Sequence, residues 1–134
     1  MKKPQILYIE DNHLNIRLIQ RNLKMLGYKL MFAEDGEKGL EIAFRELPDM
    51  ILVDINLPTI DGIEVLKQLK TNPTTQHIPV IVLTADTMAK TRRACEDHQA
   101  DGFLLKPISR DKFLHTIQRL LPASNKQSDI QTTE

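Results

Sequence analysis

The chain has 134 residues, of which 41% are hydrophobic and 27% charged, as in a single globular domain able to bury a core. Its 18 basic and 18 acidic residues give zero net charge, which lends no support to binding nucleic acid by bulk electrostatics. The single cysteine, Cys95, excludes an internal disulfide, and no apolar run is long enough to insert into a membrane. Because no apolar signal segment follows Met1, we expect a cytoplasmic protein.

Apolar runs and segments of helical periodicity alternate along the chain. The predicted strands are residues 5–9, 28–33, 50–53, 79–83 and 103–105. The predicted helices are residues 12–26, 37–47, 61–70, 87–99 and 111–121, of which the fourth has a weak apolar pattern. This alternation predicts a doubly wound α/β fold with right-handed crossovers. At this length we expect a (βα)5, flavodoxin-like parallel sheet in the strand order 2-1-3-4-5.

Domain organisation is simple. Residues 1–122 are interpreted as one domain. Residues 123–134 are interpreted as a polar tail that we expect to be disordered, because Ile130 is its one large apolar residue.

Polar side chains lie at the ends of four predicted strands. They are Glu10 and Asp11 after the first strand, Asp54 after the third, Thr84 after the fourth and Lys106 after the fifth. The carboxyl ends of parallel strands meet at one edge of the sheet, where open α/β sheets bind their ligands. We therefore predict that these residues line a single crevice.

The residue types in this crevice suit phosphoryl chemistry. Three carboxylates would raise one another's pKa values unless a cation neutralised them, and Mg²⁺ (or Mn²⁺) prefers oxygen ligands. The backbone carbonyl of Asn56 would add a neutral ligand. The ammonium of Lys106 and the hydroxyl of Thr84 would surround a phosphoryl group, with Asp54 as the receiving carboxylate.

Simpler interpretations remain open at this point. The Glu10-Asp11 pair could be solvated loop residues, Lys106 a structural ion-pair partner, and Thr84 the cap of a helix that begins near Thr87.

The sequence resembles the receiver domain of two-component response regulators, of the stand-alone single-domain type, from about residue 4 to residue 122. Four motifs carry the resemblance: Ile-Glu-Asp-Asn at 9–12, Leu-Val-Asp-Ile-Asn-Leu-Pro at 52–58 followed by Asp61-Gly62, Leu-Thr-Ala at 83–85, and Leu-Lys-Pro at 105–107. Each motif is weak alone, but the ordered set is highly specific.

The resemblance implies a phosphoprotein in phosphorelay signal transduction. Asp54 would accept a phosphoryl group from a phosphohistidine on a sensor histidine kinase or a histidine phosphotransfer protein. Mg²⁺ would be held by Asp11, Asp54 and the Asn56 carbonyl, with Glu10 acting through water. The chain would catalyse only its own phosphorylation and slow autodephosphorylation, so it is not interpreted as an enzyme.

The resemblance also implies a conformational switch. Lys106 and Thr84 would contact the phosphoryl oxygens, and the Lys106-Pro107 bond is expected to be cis. Movement of Thr84 would let the aromatic ring of Phe103 turn inward, although Phe103 could equally be an ordinary core residue. The switched surface would be the fourth helix, fifth strand and fifth helix, roughly residues 87–121, docking on a downstream protein.

Three positions refine this interpretation. Glu10 stands where Asp is more frequent in the family, and we expect metal binding to survive with altered affinity. Asn56 and Asp86, each two residues past a site residue, are expected to tune water attack on the phosphoaspartate. We expect that this gives a phosphoryl lifetime of seconds to minutes.

Other interpretations fit less well. A haloacid-dehalogenase-like phosphohydrolase needs a second Asp where Asn56 stands, since an amide cannot transfer the proton. In a flavodoxin-like FMN binder the first loop must accept a phosphate, which Glu10 and Asp11 would repel. A receiver module excised from a hybrid histidine kinase or larger regulator remains an alternative, although a chain that starts at Met1 and ends in a polar tail favours a stand-alone regulator. We expect a monomer or weak dimer that does not bind nucleic acid directly.

Overall fold

The computed structural model describes residues 3–121 and contains the ten elements expected. The strands are β1 (Gln5–Ile9), β2 (Lys29–Ala33), β3 (Met50–Asp54), β4 (Val80–Thr84) and β5 (Gly102–Leu105). The helices are α1 (His13–Met25), α2 (Gly36–Glu46), α3 (Gly62–Thr71), α4 (Ala89–Asp97) and α5 (Arg110–Leu120). The predicted tail lies outside the described residues, so the domain boundary stays a prediction. Within residues 3–121 no helix is long and apolar enough to cross a membrane.

The five strands form one parallel sheet in the order β2-β1-β3-β4-β5, which confirms the predicted doubly wound fold. Every residue of β3 and β4 is buried, so both strands are nearly continuous apolar runs in the sequence. The direction of winding reverses between β1 and β3, and this is where such sheets open a crevice at their carboxyl edge.

Two apolar clusters cover the two faces of the sheet. One joins the sheet to α2, α3 and Cys95 of α4, and the other joins it to α1 and α5. Side chains alternate along β1, so that Leu7 and Ile9 belong to the first cluster and Ile6 and Tyr8 to the second. The aromatic ring of Tyr8 therefore points toward α1 and α5. Glu10, two residues further on, follows β1 on the same face of the sheet.

Helix caps set the loops at the carboxyl edge. The N-cap side chains of α1, α2, α3 and α5 each accept a bond from a backbone N–H three residues further on; these residues are Asn12, Asp35, Asp61 and Ser109. Gly62 lets α3 begin directly against β3, because a Cβ there would collide with the backbone carbonyl of Asp54. Gly62 thereby places the start of α3 beside the predicted phosphoacceptor.

The fourth helix differs from the sequence prediction, since α4 begins two residues later and ends two residues earlier than expected. Its N-cap residue, Met88, makes no side-chain cap bond. Instead the Asp86 carboxylate accepts bonds from the Met88 N–H at 2.8 Å and the Thr91 hydroxyl at 2.6 Å. A short acidic side chain that bonds nearby backbone favours a turn over a helix. The suggestion that Thr84 caps this helix is wrong, because its Oγ1 accepts the Asp86 N–H at 3.0 Å.

Candidate functional site

Three acids converge at the carboxyl edge of the sheet. One carboxylate oxygen each from Glu10, Asp11 and Asp54 lie within 4.8 Å of one another. They meet because β1 and β3 are paired neighbours whose carboxyl ends lie side by side. Glu10 and Asp54 are buried, with 1% and 4% of their surface exposed, whereas Asp11 is exposed. The structure thus brings together the acids that the sequence placed in one crevice.

Lys106 joins the two buried acids. Its Nζ lies 2.9 Å from Glu10 Oε1 and 3.2 Å from Asp54 Oδ2. The Lys106–Pro107 bond is cis, as predicted. Burial lowers the pKa of Lys106, but the hydrogen bond to Glu10 and the charge of Asp54 outweigh it and raise the pKa above its usual value. Lys106 therefore carries a positive charge between two carboxylates.

Asp54 has donors at both carboxylate oxygens. The Asn56 N–H donates to Oδ1 at 3.2 Å, and Lys106 donates to Oδ2. Burial and the negative charge of Glu10 nevertheless raise the pKa of Asp54 to about 6, because Lys106 offsets them only in part. Asp54 is therefore a carboxylate whose negative charge is incompletely compensated.

Glu10 has more hydrogen bonds than Asp54. Its Oε1 accepts the Tyr8 hydroxyl at 2.7 Å as well as Lys106, and its Oε2 accepts the Asn12 N–H at 3.3 Å. Burial acts to raise the pKa of Glu10, but the hydrogen bonds from Lys106 and Tyr8 outweigh it and lower the pKa. Burial and the charge of Glu10 raise the pKa of Tyr8 far above its usual value, so its hydroxyl remains a donor.

The sequence interpretation missed Tyr8 as part of this site. A polar signal was present, because residues two apart on a strand face the same side and Tyr8 stands two residues before Glu10. The position was read only as one member of an apolar run.

Thr84 ends β4, one residue past Leu83, which is the register partner of Asp54. Thr84 is fully buried, and its hydroxyl bonds the Asp86 backbone rather than the acids. Asn56 is exposed, and the role of its carbonyl as a metal ligand stays a prediction. The hydrogen bond from Thr91, then that from Met88, lowers the pKa of Asp86, whose carboxylate faces the start of α4.

Phe103 is half-buried on β5 and contacts the apolar cluster that includes α2 and α3. The Arg92 guanidinium of α4 lies over its ring, 5.1 Å from the centroid. An open groove beside this pair is lined by Lys106, Pro107 and Lys112 among others. The predicted switch residue thus lies at a junction between α4, β5 and α5.

The donor set fits Mg²⁺. Three carboxylates surround a small volume, and Lys106 supplies the one cationic side chain that bonds them within the described residues. Hard oxygen ligands, an excess of negative charge and the exposed Asp11 on the solvent side suit a cation that keeps several waters.

Comparison with known proteins places this geometry in a family. A profile described as the response regulator receiver domain matches residues 6–118. The polar-differentiation response regulator DivK of Brucella anthropi is 35% identical over 116 residues, which cover 87% of this chain and 94% of that protein.

Solved structures of receiver domains and response regulators resemble this fold. The receiver domain of a sensor histidine kinase from Pseudomonas aeruginosa, with a magnesium ion coordinated in its active site cleft, is 30% identical with a TM-score of 0.83 over 90% of this chain and 99% of that one. A chemotaxis response regulator of Vibrio cholerae is 27% identical with a TM-score of 0.83 over 90% of this chain and all of that one.

Proposed function

The chain belongs to the response regulator receiver domain family of two-component systems, and we propose from this and its site geometry that it is a phosphoacceptor whose signal resides on Asp54. The phosphoryl group would come from a phosphohistidine on a sensor histidine kinase or a histidine phosphotransfer protein. The observation that carries the proposal is the Asp54 carboxylate, held beside two other acids and bonded to Lys106 at 3.2 Å.

In the proposed reaction, one Asp54 oxygen attacks the phosphorus while the bond from phosphorus to the histidine nitrogen breaks. The electron pair of that bond leaves with the imidazole. Asp54 must be ionised to attack, and its pKa of about 6 leaves it mostly ionised at neutral pH. Lys106 already donates to Oδ2, so it is placed to follow the charge onto a phosphoryl oxygen.

Asp11, Asp54 and the Asn56 carbonyl would hold Mg²⁺ (or Mn²⁺), with Glu10 acting through water. The ion would neutralise charge on the transferring phosphoryl group. The proposal is supported by the three converging carboxylates and by the exposure of Asp11.

The proposed output is a change in the α4-β5-α5 surface. The Thr84 hydroxyl accepts the Asp86 N–H, so moving it toward a phosphoryl group would break that bond. Asp86 is also the residue whose side chain bonds the start of α4, which links Thr84 to the helix. The space that Thr84 leaves would admit the ring of Phe103, and a downstream protein would bind the altered surface.

The phosphoryl group is proposed to last for seconds to minutes. Asn56 and Asp86, two residues beyond Asp54 and Thr84, would tune the attack of water, and slow autodephosphorylation would be the only reaction besides phosphorylation. Loss of radiolabel from purified phosphoprotein with Mg²⁺ measures this lifetime. Label that persists overnight contradicts it.

The proposed function is tested by incubating the protein with radiolabelled acetyl phosphate and Mg²⁺. Wild type should incorporate label, Asp54→Asn should incorporate none, and Asp97→Asn at the end of α4 should match wild type as a control for loss of an acid. Label retained by Asp54→Asn would contradict the assignment of the phosphoacceptor.

The proposal also covers the oligomeric state, the binding partner and the cellular location. We expect a monomer or weak dimer that acts on another protein in the cytoplasm rather than on nucleic acid. A receiver from a hybrid kinase would show the same labelling. Steady turnover of phosphomonoesters would instead favour a haloacid-dehalogenase-like phosphohydrolase, which Asn56 disfavours.

A further inference from the structure

A tyrosine hydroxyl is buried behind the acidic crevice. Tyr8 has no exposed surface, and its hydroxyl donates to Glu10 Oε1 at 2.7 Å. The same oxygen accepts Lys106 Nζ at 2.9 Å, so two donors share one carboxylate oxygen. The other oxygen, Oε2, accepts the weaker Asn12 N–H bond at 3.3 Å.

The two donors that share Glu10 Oε1 affect how Lys106 divides its hydrogen bonds between Glu10 and Asp54. A buried carboxylate needs donors, and an ammonium is attracted to whichever acid is least satisfied. Tyr8 supplies Glu10 Oε1 with a neutral donor, which reduces the pull of Glu10 on Lys106. The ammonium can then also bond Asp54 Oδ2 at 3.2 Å.

We propose that Tyr8 is a positioning residue for phosphoryl transfer, whose hydroxyl holds the Glu10 carboxylate so that Lys106 remains shared between Glu10 and Asp54. The inference rests on the proposed function of Asp54 and adds a residue outside the predicted site. Tyr8 does not touch the reacting atoms and acts through Glu10 and Lys106.

The length of the Glu10 side chain belongs to the same arrangement. An Asp at this position is shorter by one carbon–carbon bond, about 1.5 Å. Its carboxylate would lie too far from the Tyr8 hydroxyl for a hydrogen bond that now measures 2.7 Å. The tyrosine and the glutamate therefore form a pair, and the effect of one should depend on the other.

The first experiment compares wild type with Tyr8→Phe, which keeps the ring and removes the hydroxyl. At saturating acetyl phosphate and Mg²⁺, the phosphorylation rate should fall about tenfold, the equivalent of one hydrogen bond to a charged group. The half-saturating donor concentration should change less than about twofold, because ground-state binding is unaffected. Tyr28→Phe is the matched control and should behave like wild type, because Tyr28 comes just before β2, at the amino ends of the strands and away from the crevice.

A second readout does not depend on activity. The ¹⁵N resonance of the Lys106 ammonium, recorded without phosphodonor or metal, should shift in Tyr8→Phe and stay in place in Tyr28→Phe. An unchanged resonance, together with a rate within about twofold of wild type, overturns the proposal.

Glu10→Asp tests whether the effect of the Tyr8 hydroxyl depends on its hydrogen bond to Glu10. In that background Tyr8→Phe should cost less than about twofold in rate, because the shorter acid no longer reaches the hydroxyl. An equal loss in both backgrounds would mean that the Tyr8 hydroxyl acts independently of the Glu10 carboxylate, and it would overturn the proposal. If wild type itself takes no label on Asp54, the proposed function fails; if wild type is labelled and Tyr8→Phe is labelled equally fast, only the role of Tyr8 fails.

Discussion

The acidic crevice and the α4-β5 surface are built in opposite ways. In the crevice, Glu10 and Asp54 are almost fully buried and share Lys106. At the surface, α4 buries one residue, Cys95, whereas α3 buries four. The start of α4 is bonded by the side chain of Asp86, and Arg92 covers the Phe103 ring from outside.

This difference in burial separates the proposed site of phosphoryl transfer from the proposed output surface. Glu10, Asp54 and Lys106 are held by burial and charge, so their geometry does not have to be assembled during the proposed reaction. A helix with little buried apolar area rearranges at low cost in free energy. In the proposed function, a charged group bound in the crevice would bias the loosely held surface through Thr84 and Asp86.

Removing the shared ammonium should give the largest effect. Lys106→Met leaves Glu10 and Asp54 buried without their cation, so the free energy of unfolding should fall by about 3–5 kcal/mol at pH 7. Urea denaturation followed by circular dichroism measures it, with Lys90→Met in the exposed first turn of α4 as control. A loss below about 1 kcal/mol would mean that the crevice is not held by charge.

Asp54→Asn should change the free energy of unfolding by a smaller amount and in the opposite direction. The pKa of Asp54 is about 6 in the folded protein, against an ordinary value of 3.8, so the folded state binds the proton more tightly. The contribution of Asp54 to stability is therefore present below about pH 4 and is lost as the pH rises through about 6. At pH 7 without metal, Asp54→Asn should raise the free energy of unfolding by roughly 1–3 kcal/mol.

The same variant offers two checks in urea titrations. The difference in the free energy of unfolding between Asp54→Asn and wild type should vanish as the pH falls from 7 to 4. Added Mg²⁺ should reduce this difference at pH 7, because the ion stabilises wild type alone. An Asn variant that is less stable than wild type at pH 7 would contradict the pKa assigned to Asp54.

The smallest effect is expected at the surface. Arg92→Ala removes an exposed cation–π contact and should lower the free energy of unfolding by about 0.5–1 kcal/mol. Amide exchange in α4 should become faster, while the phosphorylation rate should change less than about twofold. Arg93→Ala is the matched control, and equal effects of both substitutions would assign the result to helix charge instead of the Phe103 contact.

The strand ends were predictable because a strand buried on both faces is a nearly continuous apolar run in the sequence. Parallel strands then place their carboxyl ends at the same edge of the sheet. That logic placed Glu10, Asp54, Thr84 and Lys106 at the correct edge of the sheet. It could not show that Glu10 is 1% exposed or that its Oε1 serves two donors, since these depend on side-chain rotamers. Tyr8 could have been found from its spacing of two residues from Glu10, although the hydrogen bond itself depends on rotamers.

The bounds of α4 were the weakest part of the sequence prediction. A helix that buries one residue has almost no apolar periodicity to mark its ends. Its start is set by Asp86, two residues before the N-cap, through bonds that no spacing rule describes. The small buried area that obscured α4 in the sequence is also what would let α4 respond as the proposed output surface.

The most direct test of coupling between Asp54 and the α4-β5-α5 surface is amide hydrogen exchange of wild type with and without excess acetyl phosphate, both with Mg²⁺. We predict altered exchange in residues 84–112 of wild type, with β1 and β3 unchanged, and no alteration in Asp54→Asn. Wild type that carries the phosphoryl group on Asp54 but exchanges identically across residues 84–112 would contradict it.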